Sequence, residues 1–303
     1  MKKIIVSGAS GFLGRRLVEK LKMLNYDVIS LTSKNDLTEK SSLDKFSSTK
    51  IDYFFHLAVY SQAGDFGLYN SGDLWILNQQ INTNILDWCL KFQPNIKIIS
   101  IGSSCSYEDS SLAHKEINYL KGIPEKGVFS YAMTKRMLHI GQKSIYDQYG
   151  IPYITFIPST LYGPEYNKYE SNKVHFIFDL IRKIIDYKIN KNEVVLWGNG
   201  LQKREIIYIE DFVNAIILLF ENINNEIINI SPSKDYSIRK IAGLICEIAG
   251  VDKKIIRYDE SKYVGVKRKI LDNKKMLDIL PNFKFTSIKD GLTKTILRYE
   301  NKL

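Results

Sequence analysis

No apolar stretch in this 303-residue chain approaches the ~18 residues that a membrane-spanning helix requires, and the run at 216–220 is long enough only for the buried stripe of a helix. The opening residues begin like an export signal, but Ser7, Gly8, Ser10 and Gly11 interrupt the apolar run before such a segment forms. Cysteine is scarce as well. Three cysteines, an odd number in a chain this long, argue against a disulfide framework and for a reducing compartment. Internal repeats, low-complexity tracts and Ser/Pro linkers are absent too. The expectation is a soluble, cytoplasmic protein with no membrane partner.

Blocks of like charge are also missing. The 43 basic and 33 acidic residues leave a net charge of +10, yet they interleave along the chain. The densest basic stretch, 262–275, contains Lys267-Arg268-Lys269. It reads either as a solvated face or as a set of contacts to a diphosphate. No nucleic acid is expected, because a polyanionic small substrate accounts for the same balance. No metal is expected.

With 45% hydrophobic residues, the chain can bury a large core at the length where one core begins to divide. Ile4, Ile5 and Val6 form a short apolar run suited to a strand buried on both faces, and Leu13, Leu17, Val18, Leu21 and Leu24 follow at helical spacing. Between them lies Gly8-Ala9-Ser10-Gly11-Phe12-Leu13-Gly14. Gly8 permits a sharp turn, Gly11 lets backbone N–H groups approach a pyrophosphate, and Gly14 lets the helix pack closely. The helix start supplies partial positive charge for that anion.

Buried-strand patterns recur at 27–31, 51–57, 96–101 and 153–157, alternating with helical patterns such as 76–92 and 131–149. This alternation predicts an α/β fold, a doubly wound parallel (Rossmann) sheet with a smaller mixed α/β lobe. The dinucleotide-binding domain is expected at 1–163 plus about 203–228, and a nucleotide-sugar lobe at 164–202 and 229–303. The segment from Arg204 should return to the sheet domain as a strand and helix.

Tyr131 and Lys135 are four residues apart on a predicted helix, hence on one face. A lysine cation near a phenol favours the phenolate, so such a tyrosine can pass a proton to or from a substrate oxygen while hydride moves to or from a nicotinamide. Ser103 follows the 96–101 strand, at a carboxyl end where ligands of such sheets bind, and could hold the same oxygen. Cys105 lies two residues on; in an extended segment its side chain would point the same way as Ser103.

Gly-x-x-Gly-x-x-Gly, the serine and Tyr-x-x-x-Lys, in that order, resemble an extended short-chain dehydrogenase/reductase of the nucleotide-sugar epimerase/dehydratase group. Gly102-Ser103-Ser104-Cys105-Ser106-Tyr107, Leu161-Tyr162-Gly163-Pro164, Trp197-Gly198-Asn199-Gly200 with Arg204-Glu205, and Arg268-Lys269-Ile270-Leu271-Asp272 resemble one branch of it, the GDP-L-fucose synthases. That resemblance implies a homodimer that reduces C4 of a GDP-linked 4-keto sugar, a 6-deoxyhexose or heptose. It also implies that Cys105 and His175 exchange protons at the carbons flanking the ketone, for which reference pKa values of about 8.5 and about 6.5 are suitable. The bland alternatives are a small buried thiol, as expected for Cys89 and Cys246, and a histidine packed beside Phe176. The family's Gly-His-x-Gly-Met-Val-Gly and Pro-Thr-Asn-Leu-Tyr-Gly-Pro are altered here, which points to a related sugar or to a reductase that no longer epimerises. A C4 dehydrogenase or 4-epimerase would use Ser103, Tyr131 and Lys135 and leave Cys105 and His175 idle. A non-catalytic dinucleotide sensor would need none of them.

The strand at 27–31 is followed by Thr32-Ser33-Lys34 with no acid at its end. An acid there would bind the ribose hydroxyls of NAD, whereas basic residues accommodate the 2′-phosphate of NADP. Lys34, with Arg15 and Arg16, favours NADP(H), and Asp36 keeps NAD(H) open. Ser33, Leu57, Ala58 and Pro158 complete the expected cofactor contacts. For the substrate, the resemblance assigns phosphate contacts to Arg204, Lys183 and Lys269. Trp197 either packs on the nucleotide or fills the lobe.

Overall fold

The computed structural model describes every residue except 63–65, 111, 165–174, 263 and 302–303. The 165–174 part of the expected smaller lobe therefore lies outside the described residues. The chain runs β1 (Lys3–Ser7), α1 (Phe12–Met23), β2 (Asp27–Leu31), β3 (Tyr53–His56), α2 (Phe66–Tyr69), α3 (Ser71–Phe92), β4 (Lys97–Ile101) and α4 (Phe129–Tyr149). It continues with β5 (Tyr153–Pro158), β6 (Thr160–Tyr162), α5 (Phe176–Asn190), β7 (Val194–Trp197), β8 (Lys203–Tyr208), α6 (Ile209–Leu219) and β9 (Glu226–Ile230). The last part holds β10 (Asp235–Ser237), α7 (Ile238–Ala249), β11 (Ile256–Asp259), β12 (Arg268–Lys269), α8 (Lys274–Ile279) and α9 (Ile288–Glu300).

Six strands in the order β2-β1-β3-β4-β5-β9 form one sheet in which each neighbouring pair is parallel. Strand alternation sends Ile4, Val6, Phe55, Ile99 and Phe156 to one face, against Leu17 and Leu21 of α1 and Phe212 and Ile216 of α6. Ile5, Phe54 and Ile98 meet Ile81 and Ile85 of α3 and Leu138 of α4 on the other. Each such fully buried side chain contributes about 1.5–3 kcal/mol, so helices on both faces are what make these runs of consecutive apolar residues stable. This is the doubly wound fold that the alternation predicts. Helix α4 stops at Gly150, whose φ of 75° closes the helix in the left-handed conformation.

A four-stranded sheet centres on β8, which pairs with β6, β10 and β12, and β7 pairs with β11. Ile181 and Ile184 of α5, Ile241 and Ile245 of α7, and Leu292 and Ile296 of α9 build a core beneath them. In the segment from Arg204, β8 pairs within the second sheet, while Ile207 of β8 and the apolar face of α6 pack into the core of the main one. An apolar strand pattern states that a segment is a strand, not which edge it pairs with. Among the described residues no helix is long and apolar enough to cross a membrane.

Candidate active site

The carboxyl ends of β1, β3, β4 and β5 and the amino end of α5 open on one cleft of about 1660 Å³. The turn from Gly8 to Gly14 forms one wall, together with Ser33, Asp36, Leu57, Ala58 and Pro158. Gly8 has φ +67°, and a Cβ on it would lie 2.9 Å from the Ala58 nitrogen. A Cβ on Gly14 would lie 2.1 Å from the Gly8 carbonyl oxygen, so only glycine seats α1 against the turn. Gly11 is the N-cap of α1 and offers no side chain to it, which leaves the positive end of the helix for an anion. The donors and the shape fit a dinucleotide pyrophosphate.

At the end of β2 the Asp36 carboxylate accepts from the Thr38 hydroxyl at 2.6 Å and the Thr38 N–H at 3.0 Å, which hold it below the usual carboxylate range. Arg15 is in the wall of the cleft. Lys34, expected in the same place, is exposed and not part of that wall. Two of its neighbours, Ser33 and Asn35, are part of it. Charge alone in the sequence could not say which side of the turn the lysine would take.

Ser103, Cys105, Tyr131 and Lys135 line the same cleft. The 104–106 segment is a single 3₁₀ turn rather than the extended segment expected, because Ser103 Oγ accepts from the Cys105 N–H at 3.1 Å and caps it. Lys135 Nζ lies 6.0 Å from the centre of the Tyr131 ring. Burial pushes the Tyr131 phenol above its usual value, aided by the Cys105 charge, while a hydrogen bond with Ser103 pulls it down. This reverses the fall expected from Lys135, whose own pKa burial lowers to about 8. Desolvation outweighs a cation at that distance.

His175, at the start of α5, also lines the cleft and is lowered to about 4 by burial and then by Lys269 and Arg204. Its reference value near neutrality therefore does not apply to the chain alone. Arg204 Nη1 donates to the Val266 carbonyl at 2.7 Å. Lys183 is paired with Asp179 at 2.8 Å. Trp197 is 54% exposed at the rim and so does not fill a core. Lys269, in contrast, is not part of the cleft wall and contacts Cys105 from behind, at 3.4 Å. The basic stretch 262–275 is divided among separate tasks: Arg268 pairs with Asp235, Lys274 with Asp278, and Lys275 with Glu226. Cys89 and Cys246 are buried, as expected.

Sequence reasoning missed a polar chain under the floor. Ser7 Oγ accepts from the Leu57 and Ala58 N–H groups at 3.1 and 3.2 Å and meets His56 Nδ1 at 3.0 Å. His56 Nε2 meets Asn82 Oδ1 at 2.9 Å, and Asn82 donates to the Thr134 carbonyl at 3.3 Å. A neutral His56, consistent with burial lowering it to about 4, donates from Nε2 and accepts at Nδ1. The chain ties the glycine turn to α4, which carries Tyr131. Ser159 Oγ and Arg182 Nε were also missed. Among the described residues these atoms and His175 Nδ1 are buried without a partner, and all three side chains line the cleft. Unpaired polar atoms are costly to bury. Spacing carried no signal for them.

The model of the NAD dependent epimerase/dehydratase family matches residues 4–231. This chain belongs to that family. As a family member it is an NAD(P)-dependent enzyme of the short-chain dehydrogenase/reductase type. The GDP-L-colitose synthase of Yersinia pseudotuberculosis is 30% identical over 312 residues, covering 99% of this chain and 98% of that protein. A probable GDP-L-fucose synthase from rice, Oryza sativa subsp. japonica, is 29% identical over 305 residues, covering 98% and 92%. Among solved structures, a GDP-L-fucose synthetase from Naegleria fowleri superposes with a TM-score of 0.86 at 25% identity, covering 99% of this family member and 94% of that chain.

Proposed function

We propose that this enzyme reduces C4 of a GDP-linked 4-keto sugar, a 6-deoxyhexose or heptose, with NADPH in preference to NADH, and epimerises the flanking C3 and C5 carbons. It would serve nucleotide-sugar biosynthesis. The observation that carries this reading is that Cys105 and His175 line the same cleft as Ser103, Tyr131 and Lys135; a plain C4 dehydrogenase has no use for them. The relatives' names supply the GDP-sugar class. Arg15 in the cleft wall, with no acid directly at the end of β2, supports NADPH.

The bound cofactor supplies the hydride. Tyr131 gives its proton to the ketone oxygen; burial keeps its phenol protonated at neutral pH, which suits reduction. Ser103 holds the same oxygen. Lys135, at about 8, is still mostly charged near pH 7 and steadies the phenolate left behind. For inversion Cys105 removes the proton beside the ketone and His175 returns one on the opposite face. A diphosphate arriving at Arg204 offsets a charge that lowers His175 and raises the imidazole toward its protonated form.

In this reading residues 1–163 and about 203–228 hold the dinucleotide, and 164–202 with 229–303 hold the nucleotide sugar. The enzyme works as a homodimer, for which the exposed Trp75 and Ile76 on α3 and Met137 and Ile140 on α4 offer apolar contact area. Incubation with GDP-4-keto-6-deoxymannose and NADPH or NADH tests the proposal. Loss of nicotinamide absorbance and a C4-reduced sugar by NMR are expected; no oxidation of either cofactor would overturn it.

A further inference from the structure

The ammonium of Lys269 donates to Cys105 Sγ at 3.4 Å and lies 3.9 Å from Glu125 Oε2. Both charged side chains keep only 18% of their surface exposed, so water screens the pair weakly. Pairing fixes the backbone that carries Lys269. Its strand β12 is pinned to β8, with Lys269 in register with Arg204, and the adjoining Arg268 is ion-paired with Asp235.

We propose that Lys269 is a positioning residue for Cys105: its ammonium holds the sulfur through a charge-assisted hydrogen bond and favours the thiolate, and Glu125 keeps the ammonium in place. The inference rests on the epimerisation reading of Cys105 given above. In the step it serves, the C–H bond beside the ketone breaks and an S–H bond forms on Cys105. The electron pair of the C–H bond passes to the ketone oxygen. Lys269 keeps its own proton and acts through its charge.

Among the titratable neighbours the tyrosines and histidines are neutral, while the carboxylates of Glu108 and Asp109 oppose the thiolate that Lys269 favours. Tyr119 and Tyr131, near the thiol, are both raised by burial and neutral. His114 and His175, near Lys269, are both lowered by burial and by Lys269 itself, and so are neutral near pH 7. Glu108 and Asp109 line the small cavity beside the pair and are acidic, while Arg268 there is engaged by Asp235.

Iodoacetamide alkylation of the full chain, read by mass spectrometry from about pH 6 to about pH 9, reports the thiolate directly. Cys89 and Cys246 are 0% and 1% exposed, so the accessible thiol is Cys105, and Cys105→Ser checks that assignment. Lys269→Met should slow alkylation at pH 7 about tenfold. Lys269→Arg should restore most of the rate. If Lys269→Met does not fold, Lys269→Gln is read in the same way. A rate and profile equal to those of the wild type overturn the proposal. In deuterium exchange into the 4-keto sugar, Lys269→Met should lower kcat at constant KM. A raised KM with unchanged alkylation would instead assign Lys269 to the diphosphate and overturn the proposal. The alkylation assay contains no sugar, so a protein that shows the slowing but turns over no GDP-4-keto sugar supports the Lys269–Cys105 coupling and loses the substrate assignment alone.

Discussion

Lys135 Nζ lies 6.0 Å from the centre of the Tyr131 ring, one turn along α4, with both residues lining the cleft. Burial holds the phenol above its usual value, and in the proposed reduction Tyr131 gives its proton to the ketone. Tyr131→Phe should leave NADPH affinity nearly unchanged and lower the reduction rate at least about a hundredfold, the usual worth of a general acid. Fluorescence titration of NADPH and steady-state rates check it; turnover close to wild type would remove Tyr131 from the proton transfer.

Arg204 carries the second prediction. Its guanidinium already donates to the Val266 carbonyl, which fixes the fork at the mouth of the cleft before any substrate arrives. Arg204→Ala should raise the KM of the GDP-sugar by at least about tenfold, corresponding to the loss of roughly 1.5–3 kcal/mol in charged hydrogen bonding, and change the cofactor KM far less. Equal effects on both constants would relocate the diphosphate.

Cys105 separates epimerase from plain reductase. The wild-type enzyme given 4-keto sugar in D₂O without reduced cofactor should take deuterium into C3 and C5, and Cys105→Ser should lose most of that exchange, because a hydroxyl is a far poorer base than a thiol near neutral pH. Reduction by the same variant should fall much less. NMR of the recovered sugar reads both. Wild type that reduces the ketone yet incorporates no deuterium is a 4-reductase alone.

The fold has its own pH signature at His139, whose Nδ1 lies 3.0 Å from Thr155 Oγ1 between α4 and the sheet. Burial lowers this imidazole from 6.5 to about 4. The unfolded chain takes up the proton first as pH falls, so the stability linked to neutral His139 is complete above about 6.5 and is lost as pH drops toward 4. The gap in unfolding free energy between wild type and His139→Asn should narrow by about 2 kcal/mol from pH 7 to pH 5 in urea titrations. A gap independent of pH would mean that the ring titrates as a solvated one in the folded protein, and a gap that widens as pH falls would mean that it is charged there.

Local pattern by itself determined the alternating strands and helices, the strand-turn-helix at Gly8–Gly14 and the pairing of Tyr131 with Lys135. Each depends on residues close in sequence: apolar periodicity, a conformation only glycine adopts, and a four-residue helical step. Cys105 and His175, 70 residues apart, required family resemblance to be considered together at all. Tertiary structure decided the rest. It chose β6, β10 and β12 as the partners of β8, turned the Ser103–Cys105 segment into a capped 3₁₀ turn and left Lys34 outside the cleft. It also raised Tyr131 where its lysine alone would have lowered it, and brought Lys269 against a thiol 164 residues away. Sheet partners, desolvation and long-range charge contacts are properties of surfaces meeting in space, and a residue's spacing along the chain contains none of them.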